Sequence, residues 1–149
     1  MPRLAFLVID MLNDYFHQHA NLAAQRRQLA DSTNALVQGF RRHQQPVLWI
    51  RQEFRPDLSD AFLEMRKHGI RITIAETEGC EILPELERVA TDKTIVKKRY
   101  SAFFGTDLDV HLETLRPEIL VVSGINTHAC VRMTVIDAYQ RDYEVIVAA

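Results

Sequence analysis

Five short apolar runs punctuate the chain, each bounded by polar or turn-forming residues. Leu4 to Ile9 reads LAFLVI and stops at Asp10, and Val47 to Ile50 follows Pro46. Thr94 to Val96 runs into Lys97, Lys98 and Arg99, Ile119 to Val122 follows Pro117, and Glu144 to Ala148 comes last. Unbroken apolar runs of this length, without polar alternation, mark strands buried on both faces of a parallel sheet. Between them, Leu22, Leu29, Leu36, Val37 and Phe40 recur at helical spacing across residues 21–43. Further helices are expected over 61–67, 108–115 and 127–140, with a helical turn or two over 84–89. Residues 69–79 show no period and read as a covering loop.

Strands alternating with helices predict right-handed βαβ crossovers. The expected fold is a three-layer α/β/α, doubly wound parallel sheet of Rossmann-like type, in one domain over residues 1–149. Such sheets collect functional groups beyond the carboxyl ends of their strands, where strand order reverses. The strand ends here are an acid, Asp10; a base, Lys97; and, through Gly124, a thiol, Cys130.

Composition narrows the function classes. The 149 residues carry a formal net charge of -2, with 47% hydrophobic and 26% charged residues. No basic excess points to nucleic acid, and no apolar run is long enough to span a membrane. The opening MPRLAFLVID lacks the long apolar stretch and small-residue cleavage site of a signal peptide, so a cytoplasmic location is expected. Cys80 and Cys130 make a poor disulfide framework, and no zinc spacing occurs. His17 and His19 sit among Gln and Asn and read as surface loop. No metal and no cofactor are expected.

Cys130 lies in the stretch SGINTHACVRMT, between a buried strand and a helix. With Asn126 or Thr127 as a cap, it falls in a first helical turn, where free amides and the helix dipole favour a thiolate. Asp10 is placed to take a proton from such a thiol, and an ammonium at Lys97 would lower the thiol pKa. Cys80 has no comparable setting and reads as structural. His128 is two residues from Cys130 in the same turn and points elsewhere, so a Cys–His dyad is disfavoured.

The blocks VIDMLNDYF, KKRYSAFFGTDLD and VVSGINTHACVRMTVIDAYQRDYEV together resemble the three motif blocks of the isochorismatase-like cysteine hydrolases, which include nicotinamidases and other small-amide hydrolases. The resemblance implies Asp10, Lys97 and Cys130 as the catalytic triad, with Lys98 one residue out of register. It also implies a cis peptide at Ile125–Asn126 and an oxyanion hole made by the N–H groups of Asn126 and Cys130. Tyr15, Tyr100, Phe103, Asn126 and Thr127 fall in the matching blocks as substrate-binding residues, with core packing an equal reading for Phe103. The implied activity is hydrolysis of a C–N bond in a small amide or carbamoyl compound through a Cys thioester. Vinyl-ether hydrolysis of the isochorismatase type, or a non-catalytic truncated subunit, are the alternatives.

Three departures qualify the match. Family members carry Gln two residues after the Asp, where this chain has Leu12. Nicotinamidases hold a metal through an Asp and two His, and the corresponding region here offers Asp57, Asp60 and only His68. The chain also stops at EVIVAA, where relatives continue into a further strand and helix; a truncated product, or a homo-oligomer that completes the sheet, is expected.

Overall fold

The computed structural model describes residues 2–148. In chain order the elements are β1 (Leu4–Ile9), α1 (Asn13–Gln18), α2 (Ala20–Arg42), β2 (Val47–Gln52), α3 (Leu63–His68) and β3 (Lys93–Lys97). Then follow α4 (Leu108–Leu115), β4 (Ile119–Gly124), α5 (Arg132–Tyr139) and β5 (Glu144–Val147). A 3-10 turn spans Glu78–Cys80 and a π turn spans Thr127–Val131.

All five strands are parallel, in the order β3-β2-β1-β4-β5. The chain moves outward from β1 to β3, then returns to lay β4 on the free side of β1. Strand order therefore reverses between β1 and β4, which opens a crevice at their carboxyl ends.

Alternate residues of each strand serve different layers. Phe6, Val8, Trp49 and Val121 pack against Ala30, Val37 and Phe40 of α2. Ala5, Leu7, Ile9, Ile50 and Val122 pack on the other face against Leu108 and Leu112 of α4 and Ala138 of α5. With helices on both faces, β1 is apolar at every position and the central parts of β2 and β4 are too, which is why those runs lack alternation. The Trp49 indole N–H keeps a partner by donating to Asp92, which also accepts from Arg41.

Residues 84–89 correct the expected helical turns. The segment makes a single turn, Leu86 N–H to the Leu83 carbonyl, and no helix. Asn34 of α2 donates to the Glu85 carbonyl and accepts from the Glu87 N–H, which fastens the rest of it to α2. The helix expected over 127–140 starts as a π turn and becomes α-helical at Arg132. Helix α1 went unseen because only Phe16 in it shows the apolar signal; His17 is in this helix, not in a loop, and His17 and His19 are both exposed. The loop over 69–79 is fastened down: Thr73 N–H donates to Asp14 at 2.6 Å, and Asn13 donates to the Glu78 carbonyl at 2.9 Å.

Candidate active site

Asp10 follows β1 with φ of 52°, a left-handed conformation that Asp tolerates better than most residues. Its N–H donates to the Ile50 carbonyl and its own carbonyl accepts from Leu12, which makes a tight turn. Leu12 itself is fully buried and bridges to Ile82, so apolar packing occupies the place of the family's Gln. The turn leaves the Asp10 carboxylate with no exposed surface. Oδ1 accepts the Gln52 backbone N–H at 2.8 Å, and Oδ2 stands 2.7 Å from Lys97 Nζ. A carboxylate oxygen has two lone pairs, so Oδ2 keeps one for a donor besides the lysine.

Lys97 ends β3 in register with Gln52 and reaches past β2 to the crevice. Its ammonium has no exposed surface, donates to the Arg99 carbonyl at 3.0 Å, and lies 3.4 Å from Cys130 Sγ. Lys98 faces the opposite way, as strand alternation requires. It donates to the Glu53 carbonyl and pairs with Asp60 at 3.1 Å.

At the end of β4, Gly124 has φ of 131°, and a Cβ there would meet the Ile9 carbonyl oxygen at 2.0 Å. Only glycine permits this approach of β4 to β1. The Ile125 N–H then donates to the same Ile9 carbonyl at 3.0 Å, and the Ile125–Asn126 peptide is cis. Val131 N–H bonds back five residues to the Asn126 carbonyl, which also accepts from Ala129. This widened turn carries Cys130. Neither Asn126 nor Thr127 caps the turn through its side chain; the Asn126 carbonyl does the work.

Burial pushes the Cys130 thiol up to about 12, with the Asp10 charge adding to the rise and Lys97 opposing it. This corrects the expectation of a lowered thiol. Desolvation and the carboxylate outweigh the ammonium, so the resting group is S–H beside a base.

Tyr15 donates its hydroxyl to Gln52 Oε1. Burial, then the charges of Asp10 and Cys130, hold its phenol well above the ordinary range, so it stays a neutral donor near the triad. Tyr100 is 48% exposed, with its ring centroid 4.8 Å from that of Phe62. Phe103 is no substrate wall. It is 4% exposed, packs in the α4/α5 core, and carries the Arg141 guanidinium over its ring at 4.4 Å. Asn126 is half-buried and Thr127 exposed. Both border a cavity of about 370 Å³ on the α2 side of the turn, whose walls also include Leu29, Ile125 and His128 but none of Asp10, Lys97 or Cys130. Cys80 is buried away from the triad, its Sγ directed at the Thr77 carbonyl. Two site residues escaped the sequence reading: Gln52, hidden in the polar run RQE but only 4% exposed, and Phe62, the ring beneath Tyr100.

The donors considered for a metal are otherwise engaged. Asp57 accepts from Ser59, Asp60 accepts from Arg55 and pairs with Lys98, and His68 pairs with Glu64 on α3. Among the described residues, no three His, Cys, Asp or Glu side chains converge. They do not fit the Asp and two His set of nicotinamidases. Nor, among the described residues, is any helix long and apolar enough to cross a membrane.

The Isochorismatase domain model matches residues 4–149. The chain belongs to the isochorismatase family. Among relatives within the isochorismatase family, a probable inactive nicotinamidase of Arabidopsis thaliana is 33% identical over 146 residues, covering 93% of this chain and 74% of that protein. A ureidoacrylate amidohydrolase of Methylorubrum extorquens is 43% identical over 119 residues, covering 69% of this chain and 48% of that one. The N-carbamoylsarcosine amidase structure from Thermoplasma acidophilum superposes with a TM-score of 0.83 at 29% identity, over 98% of this chain and 81% of that one. The five-stranded parallel sheet of this isochorismatase-family hydrolase, flanked by helices, thus matches the fold of that solved structure.

Proposed function

We propose that the chain is a cysteine amidohydrolase of small amide or carbamoyl compounds, with Asp10, Lys97 and Cys130 as its catalytic triad. What supports this most directly is the meeting of a carboxylate, an ammonium and a thiol in one buried contact, with Lys97 2.7 Å from Asp10 and 3.4 Å from Cys130. Two of the relatives are named as amidases of carbamoyl-type compounds, N-carbamoylsarcosine and ureidoacrylate.

Asp10 accepts the Cys130 proton as sulfur attacks the substrate carbonyl carbon. A raised thiol pKa suits this order, since the proton leaves in step with attack rather than beforehand. The C=O electron pair moves to oxygen, and the N–H groups of Asn126 and Cys130 receive the oxyanion. As the carbonyl re-forms, the C–N bond breaks and the amine leaves with the proton from Asp10. Water then gives a proton to Asp10 and its oxygen to the thioester carbon. The acid departs, and Cys130 recovers its proton. Lys97 holds the Asp10 carboxylate in place and offsets negative charge on sulfur. Tyr15, with its hydroxyl tied to Gln52, and Tyr100, stacked on Phe62, form the substrate wall.

The test is ammonia or amine release from a panel of small amides, ureides and N-carbamoyl amino acids, with the Cys130→Ala protein as control. Release by the parent protein alone is expected. Equal release by both, or none by either across the panel, overturns the reading.

A further inference from the structure

Thr134 lies one helical turn beyond Cys130, has no exposed surface, and takes no part in the chemistry above. Its hydroxyl donates to the Cys130 carbonyl at 2.7 Å. Taken alone, that bond is the ordinary habit of a helical threonine, which bonds to the carbonyl four residues back. Here the same oxygen also accepts the Ala102 N–H at 3.0 Å, from a different part of the chain. A hydroxyl has one proton to give and lone pairs to receive, so both bonds form at once. Ala102 is itself fully buried, and its carbonyl accepts from the Thr106 hydroxyl at 2.6 Å. The Ala102 residue is therefore held on both sides.

Ala102 belongs to the segment that follows Lys97. Among the described residues, two polar links join Lys97 and that segment to the thiol's turn. One is the Lys97 contact to Sγ. The other runs from Ala102 N–H through the Thr134 hydroxyl to the main chain of Cys130. The first joins side chains that would move during the reaction; the second joins backbone to backbone and stays out of it. The π turn makes such a link useful. A widened turn lacks the regular ladder that would otherwise set where its residues point.

We infer that Thr134 is a positioning residue: its hydroxyl ties the main chain of Cys130 to the segment bearing Lys97 and so sets the sulfur against Lys97 and Asp10. The inference rests on the catalytic reading of the triad given above. Valine keeps the shape of threonine and loses both hydrogen bonds, whereas serine keeps both and loses a methyl group.

The test compares Thr134→Val and Thr134→Ser with the parent protein in two readouts. One is kcat and KM on whichever amide the panel identifies; the other is the pH midpoint of Cys130 alkylation by iodoacetamide, followed peptide by peptide. For Thr134→Val, kcat is expected to fall by about tenfold to a hundredfold, the scale of a small misplacement in an active site, with KM little changed. The alkylation midpoint should move down toward that of an ordinary thiol, and Thr134→Ser should restore both. Parent-like behaviour of Thr134→Val overturns the inference, as does an equal loss in Thr134→Ser. If Thr134→Val does not fold, Thr106→Val decides, because it frees the other side of the same Ala102 peptide. A lowered midpoint there supports the inference and an unchanged one overturns it. If the parent protein hydrolyses nothing, the catalytic reading falls, and the alkylation midpoints alone judge the role of Thr134.

Discussion

Asp10 Oδ2 and Lys97 Nζ stand 2.7 Å apart with neither side chain exposed to solvent. Removing both charges from water costs several kcal/mol per ion, and their attraction offsets this only when further partners complete each group. Here the Gln52 N–H completes the carboxylate and the Arg99 carbonyl completes the ammonium. Such a pair adds little net stability, but breaking it from one side is expensive.

Lys97→Met leaves the Asp10 carboxylate buried and unpaired, so a loss of about 3–5 kcal/mol is expected from urea unfolding. The double variant Asp10→Asn/Lys97→Met should recover much of that loss. An unchanged midpoint in the single variant would show that the carboxylate does not depend on its partner.

Asp10→Asn separates proton transfer from thiol acidity. Activity on the best amide should fall by about 10²–10⁴, the usual worth of a general base. The negative charge that helps raise the Cys130 thiol is then gone while Lys97 remains, so its pKa should drop from about 12. Alkylation against pH reads this directly. A midpoint that stays put would mean that burial alone raises the thiol.

Cys130 also ties stability to alkaline pH. Its pKa rises from an ordinary 9.0 to about 12 on folding, so the unfolded chain loses this proton first. Between those values the folded state binds more protons, and stability falls as pH rises. The contribution is fully present below about 9. Cys130→Ser should show a shallower loss across the window in denaturant unfolding. Tyr15 and Tyr143, also raised by burial, are common to both proteins and cancel in the comparison. Parallel stability curves would contradict the raised thiol.

Two glycine substitutions should act in opposite directions. Gly124→Ala drives a methyl group into the Ile9 carbonyl at a positive φ, so a loss of at least about 3 kcal/mol is expected. Gly39 lies within α2, where an added Cβ meets only the flexible tip of Arg42 at 3.9 Å. Gly39→Ala should therefore stabilise by about 0.5–1 kcal/mol. Thermal unfolding of both proteins checks the pair. A tolerated Gly124→Ala would mean that β4 does not need its close approach to β1.

The outline of the fold was legible wherever a local pattern carried it. LAFLVI read as a buried strand because both faces of β1 meet helices, and α2 read as a helix because its buried stripe recurs at helical spacing. Residues 84–89 misled because their partner is Asn34, far away in sequence, and no local pattern reports such a bond. Phe103 was open between substrate wall and core for a related reason. Its motif block places it near Lys97, whereas the chain turns its ring into the α4/α5 core under Arg141.

The sequence by itself determined that Asp10 follows β1 and Lys97 ends β3, because there an apolar run stops where a polar side chain begins. Asp10, Lys97 and the Gly124-to-Cys130 turn were therefore visible as candidates, and the motif blocks joined them into one expectation. Only the tertiary structure decided that a parallel order of β3-β2-β1-β4 brings those ends to one edge, with Gln52 between the acid and the base. It also decided the state of the thiol. A sequence shows which charges lie near in the chain, but desolvation depends on everything packed around the group, and at Cys130 that burial outweighs the lysine.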